Sequence, residues 1–262
     1  MMRRFCRTLV LLWLCQSGLA QAGRACDSPP QDARKIMQAL EFAQKTSQRL
    51  DASQAELVLL ARVGQDLSAY HVRYSHLAFA RKQQDGRWLI THELNQCGTA
   101  ASDLFNEGVG NFFLDDVFAY EALILIPPPA LQQQIAQALS NGNARRLHDP
   151  HYNMLAYPFA ADYQNSNQWI LEVLAAASAS DLHINRRDMA QAWLKAAGYT
   201  PDTLHIDAAT RLGARLFRAN ISFADQPFNR RMAGQIDTVT VESIQRFLLA
   251  REPATQKIVL NQ

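Results

Sequence analysis

Two neighbouring stretches of alternating apolar residues restrict the fold of this chain most strongly. They read "VRYSHLAFARK" and "RWLITHELN", and the four residues "QQDG" separate them. Alternation of this kind is typical of half-buried strands, and Asp85-Gly86 is a strong turn signal. The pair therefore predicts an antiparallel β-hairpin over residues 72–95.

Other segments extend this prediction to a fold class. The apolar runs "AELVLLARVG" and "AYEALILIP" predict two more strands, and helical spacing predicts helices within 30–53 and 129–142. The order of helix, strands, helix and mixed tail indicates the α+β class. We expect one domain at 23–185 and a mixed, mainly helical C-terminal extension at 186–262 that packs on it.

The first 22 residues have the features of a secretory signal peptide. Arg3, Arg4 and Arg7 form a basic start, "TLVLLWLC" is a short apolar core, and Ala20-Gln21-Ala22 is a small-x-small cleavage site. The core is shorter than the roughly 18 apolar residues of a membrane span, and an uncleaved anchor is the alternative. We predict cleavage after Ala22, a periplasmic or secreted protein, and no membrane span in the mature chain.

The net charge of the mature chain limits the classes of partner that it is expected to bind. Cleavage removes three of the 26 Lys and Arg residues and none of the 24 Asp and Glu residues, so the formal net charge falls from +2 to −1. Such a charge balance gives no electrostatic reason to expect nucleic-acid binding.

Only Cys26 and Cys97 remain after cleavage. Exactly two cysteines in an exported protein favour one disulfide, so we predict that these two pair.

The polar run in "DYQNSNQWILEVLAAAS", residues 162–178, precedes a predicted helix. Asn165 is a good N-cap, and Gln168 stands where a capping box places its second residue. Ser166 then occupies the first helical position, above the apolar stripe of the helix. Its hydroxyl is either a capping group or a nucleophile near N–H groups that hold an oxyanion.

His76 is the predicted base for Ser166. In "YSHLAFA", alternation places His76 on one strand face with Tyr74, Ala78 and Ala80, and places Ser75, Leu77 and Phe79 on the other. A neutral imidazole with small neighbours is able to accept a proton, and a hydrogen-bonded core histidine is the alternative. On the next strand His92 and Glu93 point to opposite faces. Either is able to orient His76, because the sequence does not fix the strand register.

These features resemble the circularly permuted papain-like amidases and acyltransferases of the NlpC superfamily. "YSHLAFA" is similar to the histidine strand of that superfamily. "QNSNQWILE" is similar to its Asn-Cys-x-x-aromatic helix start, with Ser166 at the cysteine position. The resemblance covers roughly residues 55–180. The whole chain also resembles an uncharacterised family of exported bacterial proteins.

The resemblance implies a permuted papain-like domain in which an antiparallel sheet packs on the nucleophile-bearing helix. It implies a hydrolase or acyltransferase that acts on an amide or ester bond of the cell envelope, such as a peptidoglycan peptide or an acyl compound. The implied roles are Ser166 as nucleophile, His76 as base and His92 or Glu93 as the orienting group. Substrate or oxyanion contacts are expected from Asn165, Asn167, Gln168 and Tyr74.

Serine in place of cysteine leaves a second function open. A thiol ionises readily beside a histidine, whereas a serine hydroxyl needs the base during attack. The alternative is therefore a non-catalytic periplasmic binding module that keeps the cleft of the fold. We expect no cofactor and no metal: "HDPH" supplies His148, Asp149 and His151 without an evident further ligand. Asp115 and Asp116, in "FFLDDVF", are expected to be solvated charges on an extended segment.

Overall fold

The computed structural model describes residues 32–115 and 117–262 and has a mixed α+β architecture. Its main sheet has six antiparallel strands in the order β4-β3-β2-β1-β5-β8. The strands are β1 (Leu57–Val63), β2 (His76–Lys82), β3 (Trp88–Asn95), β4 (Ser102–Gly108), β5 (Ala119–Ile126) and β8 (Gln256–Asn261). The predicted α+β class with an antiparallel sheet is confirmed.

Helices cover the sheet, and a second sheet of two strands lies in the C-terminal part. The helices are α1 (Ala33–Ala52), α2 (Val109–Leu114), α3 (Pro129–Ser140), α4 (Asn143–Arg146), α5 (Ser166–Ser178), α6 (Arg187–Ala196), α7 (Ala208–Phe217), α8 (Phe228–Met232) and α9 (Val241–Arg251). The small sheet pairs β6 (Asp202–His205) with β7 (Gln235–Thr238).

The predicted hairpin is present as β2 and β3. Its register runs from Lys82↔Trp88 at the turn to Phe79↔Thr91. Gly86 adopts a φ of +84°, the left-handed conformation that glycine adopts without strain. This agreement follows from local chemistry, because the turn residue and the alternating strands lie next to one another in the sequence.

Strand β1, at the centre of the main sheet, is buried on both faces. All seven residues of β1 are buried. Leu57 and Leu59 lie in a cluster with residues of α3, α5 and α9, whereas Val58 and Leu60 lie in a second cluster with residues of α1 and α2. Each such side chain contributes about 1.5–3 kcal/mol when fully buried. The continuous apolar run of β1 is explained by these two covered faces.

The segment "FFLDDVF" differs from the expectation. Residues Val109–Leu114 form helix α2 instead of an extended piece. Phe112 and Phe113 are buried there, and the Phe113 ring packs edge-to-face on Phe42 of α1 at a centroid distance of 4.9 Å. Asp115 is not a solvated charge, since it pairs with the buried Arg62 at 2.5 Å. Burial against α1, a distant part of the sequence, decides this local structure.

Residues on both sides of the proposed 185/186 boundary share one core. Leu194, Val239 and Leu248 belong to the same apolar cluster as Leu171 and Leu174 of α5. Strand β8 completes the main sheet beside β5. The division into a domain and an extension stays a prediction.

Two predictions concern residues outside the described part of the chain. The signal peptide at 1–22 lies there, and so does Cys26, the predicted partner of Cys97. Within the described residues, no helix has the length and apolar character needed to cross a bilayer.

Candidate functional site

The site forms where strands β2 and β3 diverge. Their pairing ends at Phe79↔Thr91, while β2 remains paired with β1 as far as Arg62↔His76. The start of α5 packs into this opening. The Leu77 amide, which faces the opening, donates to Asn167 Oδ1 at 3.1 Å. This bond brings the first turn of α5 against the end of β2 that carries His76.

Ser166 is the first residue of α5, as the N-cap pattern predicts. The Asn165 side chain caps the helix by accepting from the Gln168 amide at 2.8 Å. Its Nδ2 group also donates to Thr238 Oγ1 at 3.0 Å. Because Asn165 performs the capping, the Ser166 hydroxyl is not needed for it. Ser166 and its neighbour Asn167 contribute first-turn N–H groups that have no carbonyl partner within the helix itself.

Four polar side chains from four elements follow one another at short distances. Ser166 Oγ lies 3.2 Å from His76 Nδ1, and His76 Nε2 lies 2.9 Å from His92 Nδ1. His92 Nε2 lies 3.2 Å from Glu107 Oε1 of β4, an ion-pair distance without the alignment of a hydrogen bond. We call these four residues, Ser166, His76, His92 and Glu107, the polar row.

The row has one self-consistent direction of proton donation. The Glu107 carboxylate, 3.2 Å from His92 Nε2, attracts a proton on that nitrogen, which makes His92 Nδ1 the acceptor. His76 Nε2–H then donates to His92, which leaves His76 Nδ1 free to accept from the Ser166 hydroxyl. This tautomer is the one a general base needs.

Three residues of the polar row are almost excluded from solvent, whereas the Glu107 side chain is 21% exposed. The exposed fractions are 8% for Ser166, 7% for His76 and 0% for His92. The Phe112 ring covers both imidazoles, with centroid distances of 6.0 Å to His76 and 5.7 Å to His92. Electrostatic effects are strong in such an environment, because little water screens the charges.

Burial holds the pKa of His76 well below its usual value, and the positive charge of Arg62 lowers it further, followed by His92. Arg62 lies opposite His76 on β1 and is only 5% exposed. Its guanidinium binds the Phe112 carbonyl and Asp115 and stacks over the Phe112 ring at 4.8 Å. His76 is therefore neutral at pH 7, and Arg62 opposes its protonation.

A family model matches residues 49–248, more than half of the 262 residues. The chain belongs to the DUF2145 family, described as an uncharacterized protein conserved in bacteria. The expected membership in an uncharacterised bacterial family is thus confirmed. Comparisons with curated proteins and with solved structures found no match. The range matched by the DUF2145 model contains all four residues of the polar row.

The structure distinguishes the two orienting groups that the sequence left open. His92 faces His76, whereas Glu93 points to the opposite side of β3. Glu93 interacts there with the charges of Glu172, Arg187 and Asp149. Among the two, only His92 is therefore placed to fix the His76 ring.

Several predicted substrate or oxyanion residues have other contacts. Tyr74 precedes β2, lies in the cluster of the opposite face from Ala78, and donates its hydroxyl to Glu121 at 2.7 Å. Its placement beside His76 was wrong, because the strand begins only at His76. The Gln168 side chain donates to Glu172 at 3.1 Å, so it does not complete a capping box. The side chains of Asn165 and Asn167 hold the helix start in place.

Sequence patterns did not predict three residues of the site. Tyr152, from the loop before α5, is buried, and its hydroxyl interacts with Ser166. Glu107, itself part of the polar row, lies on β4, and Arg62 lies on β1. A single charge within "LVLLARVG" was the one available signal, because a charged residue in a buried strand needs a partner.

The "HDPH" side chains have structural partners. His148 Nε2 lies 3.1 Å from Ser102 Oγ, and Asp149 binds His151 and Arg187. In residues 32–115 and 117–262, no group of three or more His, Cys, Asp and Glu side chains is arranged to hold a metal ion.

Proposed function

We propose that this protein is a serine-dependent hydrolase or acyltransferase that acts on an amide or ester bond. The 3.2 Å approach of Ser166 Oγ to His76 Nδ1 carries the proposal, with His92 at 2.9 Å behind His76. Acyl transfer at serine requires a nucleophile, a base in contact with it, and a group that orients the base.

The steps follow from these positions. Ser166 Oγ bonds to the substrate carbonyl carbon while its proton passes to His76 Nδ1, and the carbonyl oxygen gains the negative charge. The Ser166 and Asn167 amides at the start of α5 are donors for that oxygen. His76 then gives the proton to the leaving nitrogen or oxygen as its bond to carbon breaks. Water or another acceptor then loses its proton to His76, attacks the acyl-enzyme carbonyl and releases the free serine.

A permuted papain-like relationship is part of the proposal. The histidine strand precedes the nucleophile helix along the chain, and the N-terminus of α5 meets the antiparallel sheet beside His76. Ser166 replaces the cysteine usual in the NlpC superfamily. A neutral His76 is able to accept the proton of a serine hydroxyl during attack, so the base is in the form that a serine nucleophile requires.

The cell envelope is the proposed place of action. Its basis is the signal-like leader at 1–22, with export to the periplasm after cleavage at Ala22. Peptidoglycan peptides or acyl compounds of the envelope are then the substrates that the enzyme would meet.

A non-catalytic binding module is the second candidate function. Two observations favour it: the nucleophile and base are 8% and 7% exposed, and Arg62 opposes the imidazolium that catalysis must form. In this candidate, the polar row stabilises the junction of α5 with the sheet, and a ligand binds without reaction.

Labelling with a fluorophosphonate distinguishes the two functions. The mature protein is treated at pH 7, and the modified peptide is identified by mass spectrometry. Catalysis predicts an adduct on Ser166 that is lost in Ser166→Ala and in His76→Ala. Ser178→Ala, at the other end of α5, is the matched control and keeps the adduct. Labelling of Ser166→Ala equal to wild type contradicts the serine proposal, and a folded protein without any adduct favours the binding module.

A further inference from the structure

The two histidines of the polar row lie between charges of opposite sign on neighbouring strands. Arg62 lies on β1, His76 on β2, His92 on β3 and Glu107 on β4, and these strands are adjacent in this order. Arg62 and His76 are direct partners in the strand register, and the Phe112 ring lies against Arg62 and both imidazoles. One face of the sheet thus carries a cation at one end of the histidine pair and a carboxylate at the other.

Positive charge is unfavourable at the Arg62 end of the pair. Asp115 offsets part of the charge of Arg62 by pairing with it at 2.5 Å. Even so, the pKa of His76 lies well below its usual value, because of burial first and of the Arg62 charge second. In the proposed chemistry the proton of Ser166 passes to His76. An imidazolium that stayed at His76 would therefore be the costly species of the reaction.

Positive charge is favourable at the other end, beside Glu107. His92 Nε2 is buried and forms no aligned hydrogen bond within the described residues, although Glu107 Oε1 lies 3.2 Å away. Arg87 lines the same surface cavity as Glu107 but pairs with Asp85 at 2.6 Å. The Glu107 carboxylate is thus available to His92. A charged ring would gain more from it than a neutral one, because charge-assisted hydrogen bonds are shorter and stronger.

The ring nitrogens are arranged to move a proton from one end to the other. Ser166 Oγ lies 3.2 Å from His76 Nδ1, and His76 Nε2 lies 2.9 Å from His92 Nδ1. When His76 takes the serine proton at Nδ1, its Nε2 proton is able to pass to His92 Nδ1. His76 is then neutral again, His92 is an imidazolium facing Glu107, and the substrate oxygen carries the negative charge. The positive charge has moved one strand spacing, about 4.8 Å, farther from Arg62.

We propose that His92 is the second proton acceptor of the polar row, and that Glu107 is a positioning residue which holds the His92 imidazolium. This role rests on the proposed serine chemistry. Glu107 stays ionised throughout and acts only through His92. When the leaving group departs, His92 Nδ1 returns the proton to His76 Nε2, and the Nδ1 proton of His76 passes to the leaving nitrogen or oxygen. His92 then has a role in proton transfer beyond the orientation of His76.

The rate of fluorophosphonate labelling in mixtures of H₂O and D₂O reports how many protons move in the slow step. Two moving protons make the rate a curved function of the deuterium fraction, and one makes it a straight line. We expect a curve for wild type and straight lines for His92→Gln and Glu107→Gln, in which the charge stays at His76. Glu107→Gln should also react at least roughly tenfold more slowly, and Glu107→Asp, which keeps the charge, should recover part of the rate and the curvature. Asp103→Asn, which changes an exposed carboxylate of the same strand, is the matched control and keeps the wild-type rate and curve.

The shape of the curve separates proton transfer from a purely structural role. A Glu107 that only supports the fold would slow labelling when changed but leave the curvature as in wild type. Circular dichroism checks that each variant is folded, and His92→Gln supplies the same comparison if Glu107→Gln does not fold. A straight line or no isotope effect in wild type overturns this inference alone, and so does a curve that persists in the folded variants. Absence of any labelling at Ser166 contradicts the serine proposal, and this inference falls with it.

Discussion

His76 Nε2 lies 2.9 Å from His92 Nδ1, so the candidate base is held by a second, fully buried imidazole. Removal of this partner should therefore leave His76 free to rotate away from Ser166. We expect His92→Gln to slow fluorophosphonate labelling of Ser166 by at least roughly tenfold, within the range that positioned acid–base groups contribute. The exposed His151→Gln is the control. Labelling of His92→Gln at the wild-type rate would show that the second histidine has no orienting role.

Ionisation of Glu93 should make the fold less stable at alkaline pH. Its folded-state pKa of about 8 lies above its ordinary value of 4.5, so the folded protein binds more protons than the unfolded chain between these values. The free energy of unfolding therefore falls as pH rises through this window, by on the order of 5 kcal/mol in total. The contribution of the neutral Glu93 to stability is fully present below about pH 4.5 and is lost as pH rises through about 8.

Urea denaturation from pH 5 to pH 9 measures this effect. Glu93→Gln should have a shallower pH dependence and be more stable than wild type at pH 9. Glu41→Gln, an exposed change of the same chemistry, should follow wild type. Identical slopes for Glu93→Gln and wild type would contradict the neutral form of Glu93.

The helix and the sheet depend on Asn167 for their junction. Asn167→Ala leaves the buried Leu77 amide without its 3.1 Å acceptor, and an unpaired buried donor costs about 1–3 kcal/mol. Asn167→Asp keeps an acceptor oxygen and should lose less stability. Chemical denaturation of the two variants beside wild type measures the difference. Equal stability of Asn167→Ala and wild type would show that this hydrogen bond does not stabilise the junction of α5 with the sheet.

Local patterns accounted for four of the six strands of the main sheet and for half of the polar row. The β2–β3 hairpin follows from alternation around Asp85-Gly86, and α5 begins at Ser166 because Asn165 caps it. Ser166 and His76 were identified since each lies in a pattern of neighbouring residues. The remaining features depend on contacts between distant segments, which such patterns do not contain.

Strand register is the clearest example. Whether His92 or Glu93 faces His76 depends on how β3 pairs with β2 and β4, and a shift of one residue exchanges the two. Helix α2 forms because Phe113 packs against Phe42 of α1, and Tyr152 joins the site through a loop. These tertiary contacts decide both local structure and site composition.

Ser166→Cys tests the central claim, that His76 activates the side chain at position 166, most directly. A thiol at the start of α5 beside His76 should have a pKa below the roughly 8.5 of free cysteine. The rate of alkylation by iodoacetamide is measured against pH for Ser166→Cys and for the double variant with His76→Ala. The unmodified serine protein provides the background from Cys26 and Cys97. We predict a reactive thiol at pH 7 that becomes slower without His76. An unshifted thiol pKa that does not respond to His76→Ala would contradict the catalytic account.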